Sequence, residues 1–512
     1  MSYVSIGVNI IAGLLYTPWM IHTIGRENYG LFTLAMSVIS LFLFDFGLSS
    51  AVTRFISKYL AEGNQDKAND CLGLVYRLYF GLDVILFLVL ASVYFFIPQI
   101  YQQLSPDEVE KFKALYAMVA LYSILSFPFI PVNGALIAHE RFIQLKLCEI
   151  ISRVLTVTIM TICLFLGYGL YAMVMVNSGV GLFMIALKLF CIKKYTPQRI
   201  TLNYRNKSEL KEIAGYSGWI TIIALAQRCI FNIAPSILGA LSGSTAIAIL
   251  GIAITLEGFA FTFANAFSGM FLPKVSRLYA SGADILPLMI KVGRIQIFIM
   301  SLVVSGFVFI GQDFIRIWVG NQFKASYYCA LLIIAPSLLQ LPQEIGVQAI
   351  IAKNKVKQQA LVFLGMAVLN IIGATILSPI YGAVGLSCSI CIAYIVRTIG
   401  LDYVLIKELN INIWRFFKES FIKMLPAIVL VMIFGFFMKK IIFIGGWLGL
   451  FISCAIYVTA YILIMYLLGM NAYERSLLAS PIKRICKKNK VLYENSTSKL
   501  CVPKGQHGKN SI

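Results

Sequence analysis

The feature that most limits this chain is a succession of apolar runs, each roughly 20 residues or longer, divided by short polar loops. Wound as an α-helix at about 1.5 Å per residue, such a run matches the ~30 Å hydrocarbon core of a bilayer. In that core backbone N–H and C=O groups find no water, so only helices and closed barrels can cross it. The runs are continuous and do not alternate with period two, which points to helices. About fourteen are read, at approximately 3–22, 30–52, 72–97, 114–137, 147–166, 169–190, 213–240, 245–270, 289–311, 327–351, 359–379, 382–405, 420–438 and 443–469. Only 13% of residues are charged and the mean hydropathy is +0.84. A soluble domain carries about 25% charged residues, so a globular fold would have too little polar surface to show water. The fold class is therefore an all-α polytopic membrane protein.

The formal net charge of +21 suggests nucleic acid at first sight. Its distribution argues otherwise, because Lys and Arg follow a membrane-topology rule. With the N-terminus inside, the inside loops and the tail hold roughly 32 of the 43 basic residues and the outside loops about 7. Both termini are thus expected in the cytoplasm, and no nucleic-acid partner is expected. The first run has no basic start and carries Pro18 and Trp19 where a cleavable signal needs small residues. Eleven cysteines lie singly, mostly within apolar runs. "CSIC" (Cys388, Cys391) has no second ligand pair, so neither a metal nor a cofactor is expected. The histidines are His22, His139 and His507, with no acid–base cluster beside them. Together with short outside loops (about 98–113 and 312–326), this argues against a membrane polymerase or ligase.

An internal repeat is visible in the loops. "TRFISKYLAEGN" (53–64) resembles "LPKVSRLYASGAD" (272–284), and at nearly the same offset Pro18 matches Pro235 and Gly25 matches Gly243. Six spans is an even number, so the two halves share one orientation, related by a pseudo-two-fold axis along the membrane normal. The expected units are a six-helix lobe over 1–200, a second over 201–410, two extra helices over 411–470 and a basic cytoplasmic tail over 471–512. Spans 13 and 14 carry few internal charges and suit a lipid-facing role.

Three stretches carry a resemblance: "GLLYTPWMIHTIGRENYGLFTLAMSVISLF", "DFGLSSAVTRFISKYLAEGNQDKAN" and "SGWITIIALAQRCIFNIAPSILGAL". Together they resemble the bacterial polysaccharide transporters, the Wzx-type O-unit flippases of the multidrug/oligosaccharidyl-lipid/polysaccharide superfamily. The resemblance spans about 3–470 and implies two six-helix lobes around a central cavity that opens alternately to either side. It implies a cargo of short oligosaccharide on undecaprenyl diphosphate, moved from the cytoplasmic to the periplasmic leaflet of the bacterial inner membrane. Helices 13 and 14 can form a groove for the polyprenyl chain in such proteins. A polysaccharide polymerase and glycosyltransferases are the implied partners, beside the membrane lipids. A cation-coupled multidrug antiporter and a lipid II flippase of the same superfamily are the alternatives. The family often carries an acid near the middle of span seven, where this chain has Arg228 and Cys229.

Sugar and diphosphate cannot cross hydrocarbon, so a polar cavity must shelter them, and an arginine fork suits phosphate oxygens. Charges inside spans are therefore the places to look. Arg228, Arg77 and Arg153 are the expected cavity cations. Each has a plainer reading. Arg228 has Glu257 as a possible pair across adjacent helices, Arg77 can snorkel, and Glu149 and Arg153 form an i,i+4 pair that neutralises itself. Lys188 and Arg397 lie near span ends and are expected to snorkel. Asp45, Glu257, Asp83 and Glu344 are counter-ions or coupling sites for H⁺ or Na⁺. Glu344 lies between Pro342 and Gly346, where a helix break is expected, and Pro18 and Pro235 are the expected hinges.

Overall fold

A computed structural model describes residues 2–43, 45, 48–201, 207–265, 275, 278, 283–353, 355–441 and 445–475, and all regular structure among them is helical. α1 (Ser2–Ile24) turns at Gly25 into α2 (Arg26–Phe42), and α3 (Leu48–Ala61) follows after a break. Next come α4 (Gln65–Ile100), α5 (Pro106–Ser126), α6 (Val132–Ala138), α7 (Phe142–Phe165) and α8 (Leu170–Tyr195). The second half runs α9 (Lys207–Phe231), α10 (Ala234–Leu241), α11 (Ser244–Asn265), α12 (Leu286–Val319), α13 (Lys324–Ile334), α14 (Ser337–Gln340), α15 (Glu344–Ala352) and α16 (Val356–Leu409). α17 (Ile413–Phe417), α18 (Lys423–Ile441) and α19 (Trp447–Ile464) complete it, with π-turns at Lys418–Ile422 and Met465–Gly469.

Burial runs opposite to that of a water-soluble protein. Phe87, Phe96, Ile376, Leu448 and Phe451 are each more than half exposed, on helices with no outward polar face. The most apolar window of α4 has only 17% of its residues buried. Such surfaces need hydrocarbon as solvent. Eleven segments among the described residues are long and apolar enough to cross a membrane. The hydropathy reading of about fourteen divides the chain more finely. α1 qualifies only as the shorter stretch Ile10–Ile24, α2 has 17 residues, and α16 counts once although it is broken.

That break shows how one glycine reverses a helix. Gly382 has φ 56° and ψ −134°, a conformation essentially reserved for glycine. The two arms then lie side by side. A Cβ on Gly385 would collide with the Leu377 carbonyl, and Ser389 donates to the Asn370 carbonyl at 2.8 Å. Several backbone features recur between the halves. Gly25 and Gly243 both have left-handed φ, 83° and 80°, and each precedes the next helix. Gly167 and Gly382 recur likewise, as do the 3₁₀ turns Phe127–Phe129 and Leu341–Gln343 with Pro128 and Pro342. The prolines matched by the repeat do not behave alike: Pro235 opens α10 after the α9 break, whereas Pro18 lies inside an unbroken α1.

The halves meet most closely where α2 lies against α11. A Cβ on Gly30 would collide with the Ser244 carbonyl, so backbone touches backbone there. Further along α11, Gly251 faces the Thr33 hydroxyl. Trp318 of α12 donates its indole N–H to the Leu14 carbonyl of α1 at 2.6 Å, a second tie between the halves.

Candidate functional site

Between the halves lies a cavity of about 300 Å³ bounded by α1, α2, α7, α8 and α11. Four helices present the same register to it: 13, 16, 17 and 20 on α1; 29, 32, 33 and 36 on α2; 153, 156, 157 and 160 on α7; 251, 254, 255 and 259 on α11. This spacing, three or four residues at a time, is one face of a helix. The faces carry Thr17, Thr33, Thr156 and Thr255 among methionines and aromatics, and Asn177 joins from α8. Thr33 and Thr255 donate to their own helix, to the Tyr29 and Gly251 carbonyls.

Arg153 is the one charged residue among those lining this cavity. Its Nε is buried without a hydrogen-bond partner, and so is the hydroxyl of Tyr16. The expected self-neutralising pair is not formed. Glu149 sits on the exposed side of α7 and takes Lys146 as partner at 2.7 Å. Four residues on, Arg153 shares the face of Thr156, Val157 and Met160 instead. Thus Arg153 brings a charge to the wall of a mainly apolar cavity, while its own Nε and the Tyr16 hydroxyl are shut away from solvent without a partner.

Arg228 occupies a different station. Its Nη1 donates to the Ser40 carbonyl in the last turn of α2, joining the two halves beside the α2–α3 break. Asp45, rather than Glu257, is the acid whose charge acts on Arg228. Asp45 itself accepts from the Ser49 N–H at 2.9 Å and the Tyr79 hydroxyl at 3.1 Å, so it caps α3. Neither Arg228 nor Arg77 lines the cavity. Arg77 is exposed, because Tyr76 and Tyr79 take the inward positions of that turn. Asp83 is half-buried on α4, and its Oδ1 has no hydrogen-bond partner.

The second half holds a charged group in its own core. Arg397 does not snorkel. It is 4% exposed, with its guanidinium 4.4 Å from the Phe363 ring centre and 5.7 Å from that of Tyr394. Glu344 stands at the expected helix break, accepts from Gln348 at 2.8 Å and acts on Arg397. Glu257 is half-buried on α11.

Helices α18 and α19 are fastened to α12 by a residue that sequence reasoning did not single out. Arg294 is buried inside α12 and binds Glu474 at 2.5 and 2.9 Å. It also donates to the Glu419 carbonyl at 2.9 Å and the Gly469 carbonyl at 2.7 Å, one in each π-turn. Two turns further along, Tyr461 bonds both Ser301 and the Phe298 carbonyl at 2.6 Å. Beyond that, α12 and α19 open into an apolar groove of about 220 Å³, floored by Gly306 and Gly311 and walled by Phe307, Phe314 and Tyr457.

The sequence signature of the polysaccharide biosynthesis protein family matches residues 1–278. No curated protein matches the chain by sequence. Among solved structures, one titled "Lipid II flippase MurJ, inward closed conformation" aligns with a TM-score of 0.72 at 15% identity, covering 93% of this chain and 99% of that one. An inward-facing multidrug resistance MATE family transporter of the MOP superfamily aligns at 0.66 and 14% identity, covering 79% and 93%. The MATE multidrug transporter DinF-BH aligns at 0.59 and 16%, covering 80% and 93%. At these identities the likeness is one of fold.

Proposed function

Because the chain belongs to the polysaccharide biosynthesis protein family, and is a multi-pass membrane flippase or transporter by that membership and its fold, we propose that it flips undecaprenyl-diphosphate-linked oligosaccharide units. The direction is from the cytoplasmic to the periplasmic leaflet of a bacterial inner membrane, with both termini cytoplasmic. The single observation that carries this reading is Arg153, the lone charge in the interlobe cavity, with Nε unsatisfied. A diphosphate supplies the anion it lacks, and the surrounding threonines, Asn177 and Tyr16 supply partners for sugar hydroxyls. A cationic drug would meet only a like charge there, which ranks the multidrug antiporter lower.

At about 300 Å³ the cavity is at the small end for ligand sites. Passage of an oligosaccharide requires the halves, here taken as lobes 1–200 and 201–410, to part and re-form. The contacts that must break are those of Gly30 with Ser244 on one side and of Arg228 with Ser40 on the other. The isoprenoid chain stays in lipid, with the α12–α19 groove as its track. Coupling to H⁺ or Na⁺ is assigned to the acids near the moving parts, Asp45 at the α2–α3 break and Glu257 and Glu344 in the second lobe. A polymerase and glycosyltransferases complete the route. Lipid II is the second cargo to test, favoured by the 93% coverage against the lipid II flippase fold.

The test is a clean deletion in a strain with no redundant transporter. Surface polysaccharide should disappear while lipid-linked repeat units accumulate in the inner leaflet. Normal export would refute the reading, and loss of viability through peptidoglycan arrest would move the cargo to lipid II.

A further inference from the structure

We propose that a second cavity, lined by the first half alone, binds a small monovalent inorganic anion of halide size, held by Lys188. This cavity measures about 140 Å³ and shares no lining residue with the one between the halves. It is bounded by α5 (Tyr122, Ser126), the 3₁₀ turn and α6 (Phe129, Asn133), α8 (Ile185, Lys188) and the end of α2.

Lys188 was expected to snorkel to the membrane surface. It is partly exposed and lies on the α8 face that also carries Ile185 and Gly181, three and seven residues back, which packs towards α5. Gly181 makes room for this arrangement. A Cβ there would collide with the Tyr122 hydroxyl, so only glycine lets that side chain cross to α8 above the cavity. Lys188 is the single charge in the lining. Among the described residues no carboxylate pairs with it. Glu149, the acid whose charge reaches it, is held by Lys146 at 2.7 Å.

An ammonium group inside a membrane protein needs either a counter-charge or acceptors for its three N–H bonds. The neighbouring groups supply few. Ser126 already donates to the Tyr122 carbonyl at 2.7 Å. Asn133 also lines the cavity, and its amide oxygen is buried without a partner, which leaves the N–H₂ as the group that the amide can offer there. Lysine ammonium, asparagine amide and tyrosine hydroxyl are together a donor set. One fixed positive charge matches one negative charge. The volume holds a halide with a few waters at ~30 Å³ each, without needing a path to the interlobe cavity.

The experiment uses the full-length protein in nanodiscs. Its unfolding midpoint is followed while sodium gluconate is replaced by sodium chloride or bromide at constant ionic strength. The expected result is a saturable rise of about 2 °C or more with either halide. Lys188→Met should abolish that rise, while Arg153→Gln, which alters only the other cavity, should keep it. A bromide anomalous peak beside Lys188 in crystals of the unmutated protein is the second expected result, and it stands even if Lys188→Met does not fold. Equal midpoints in gluconate and halide, a halide response that survives Lys188→Met, one that vanishes with Arg153→Gln, or a bromide-soaked crystal with no peak at Lys188 would each overturn the proposal.

Discussion

Arg294 and Arg153 are both set inside helices of a chain with few charges, and their surroundings are opposite. Around Arg294 every direction of the guanidinium is answered: two carboxylate oxygens of Glu474 and the carbonyls of Glu419 and Gly469. Those two carbonyls belong to π-turns, where the regular i→i−4 ladder is interrupted and backbone acceptors are freed. Arg153 has an unsatisfied Nε, a neighbouring tyrosine hydroxyl equally unsatisfied, and about 300 Å³ of space in front of it. The contrast teaches how to separate a structural charge from a working one. An orphan Nε is not the mark by itself, since Arg397 in the core of the second half has one too; what sets Arg153 apart is the cavity that it lines.

The largest effect should come from breaking the saturated site. Arg294→Gln leaves Glu474 buried and unpaired, which should cost about 3–5 kcal/mol and show as a lower unfolding midpoint and reduced membrane abundance. Adding Glu474→Gln should recover a large part of that loss, and a double variant no better than the single one would mean that the pair is not the fastening. Next in size is the incomplete site. Arg153→Gln should reduce flipping at least tenfold, about 1.4 kcal/mol, at equal protein abundance and with the unfolding midpoint nearly unchanged. Were its midpoint to fall as far as that of Arg294→Gln, the distinction between the two arginines would collapse. The smallest effect sharpens the α12–α19 seam: Tyr461→Phe removes the bonds to Ser301 and Phe298 and should cost about 1 kcal/mol in stability. If it also slowed flipping more than Arg153→Gln, the seam and its groove would matter more to transport than the interlobe cavity.

Much of the architecture was legible in the sequence because membrane insertion depends on local properties. Apolar length gave the helices, and Gly25 and Gly243 announced turns that both take left-handed backbone. Pro342 and Gly346 marked the broken tenth segment correctly. Charges read one at a time were less informative. Arg294 falls near the start of the span read at 289–311 and was not singled out, yet α12 begins at Leu286 and takes it into the interior. Arg397 looked able to reach the surface and is buried instead, while Lys188, partly exposed, lines a cavity. A signal for the cavity was present in the i, i+3, i+4 faces that each carry one threonine, Thr17 and Thr33 in the first half and Thr255 in the second. On one helix such a stripe resembles ordinary packing, and only four together enclose a space.

The sequence by itself determined that this protein lives in a bilayer, as bundled helices, in a family of polysaccharide transporters. Those conclusions follow from transfer free energy and chain-local turns, which each segment carries with it. Tertiary structure alone decided which charge meets which. Glu149 and Arg153 are four residues apart and share a helix, yet one pairs with Lys146 at the surface and the other faces the void between the halves. The physical reason is that a helix offers its faces without saying what will cover them. Partners for a charge in low dielectric come from other helices, and those are fixed only when the bundle closes.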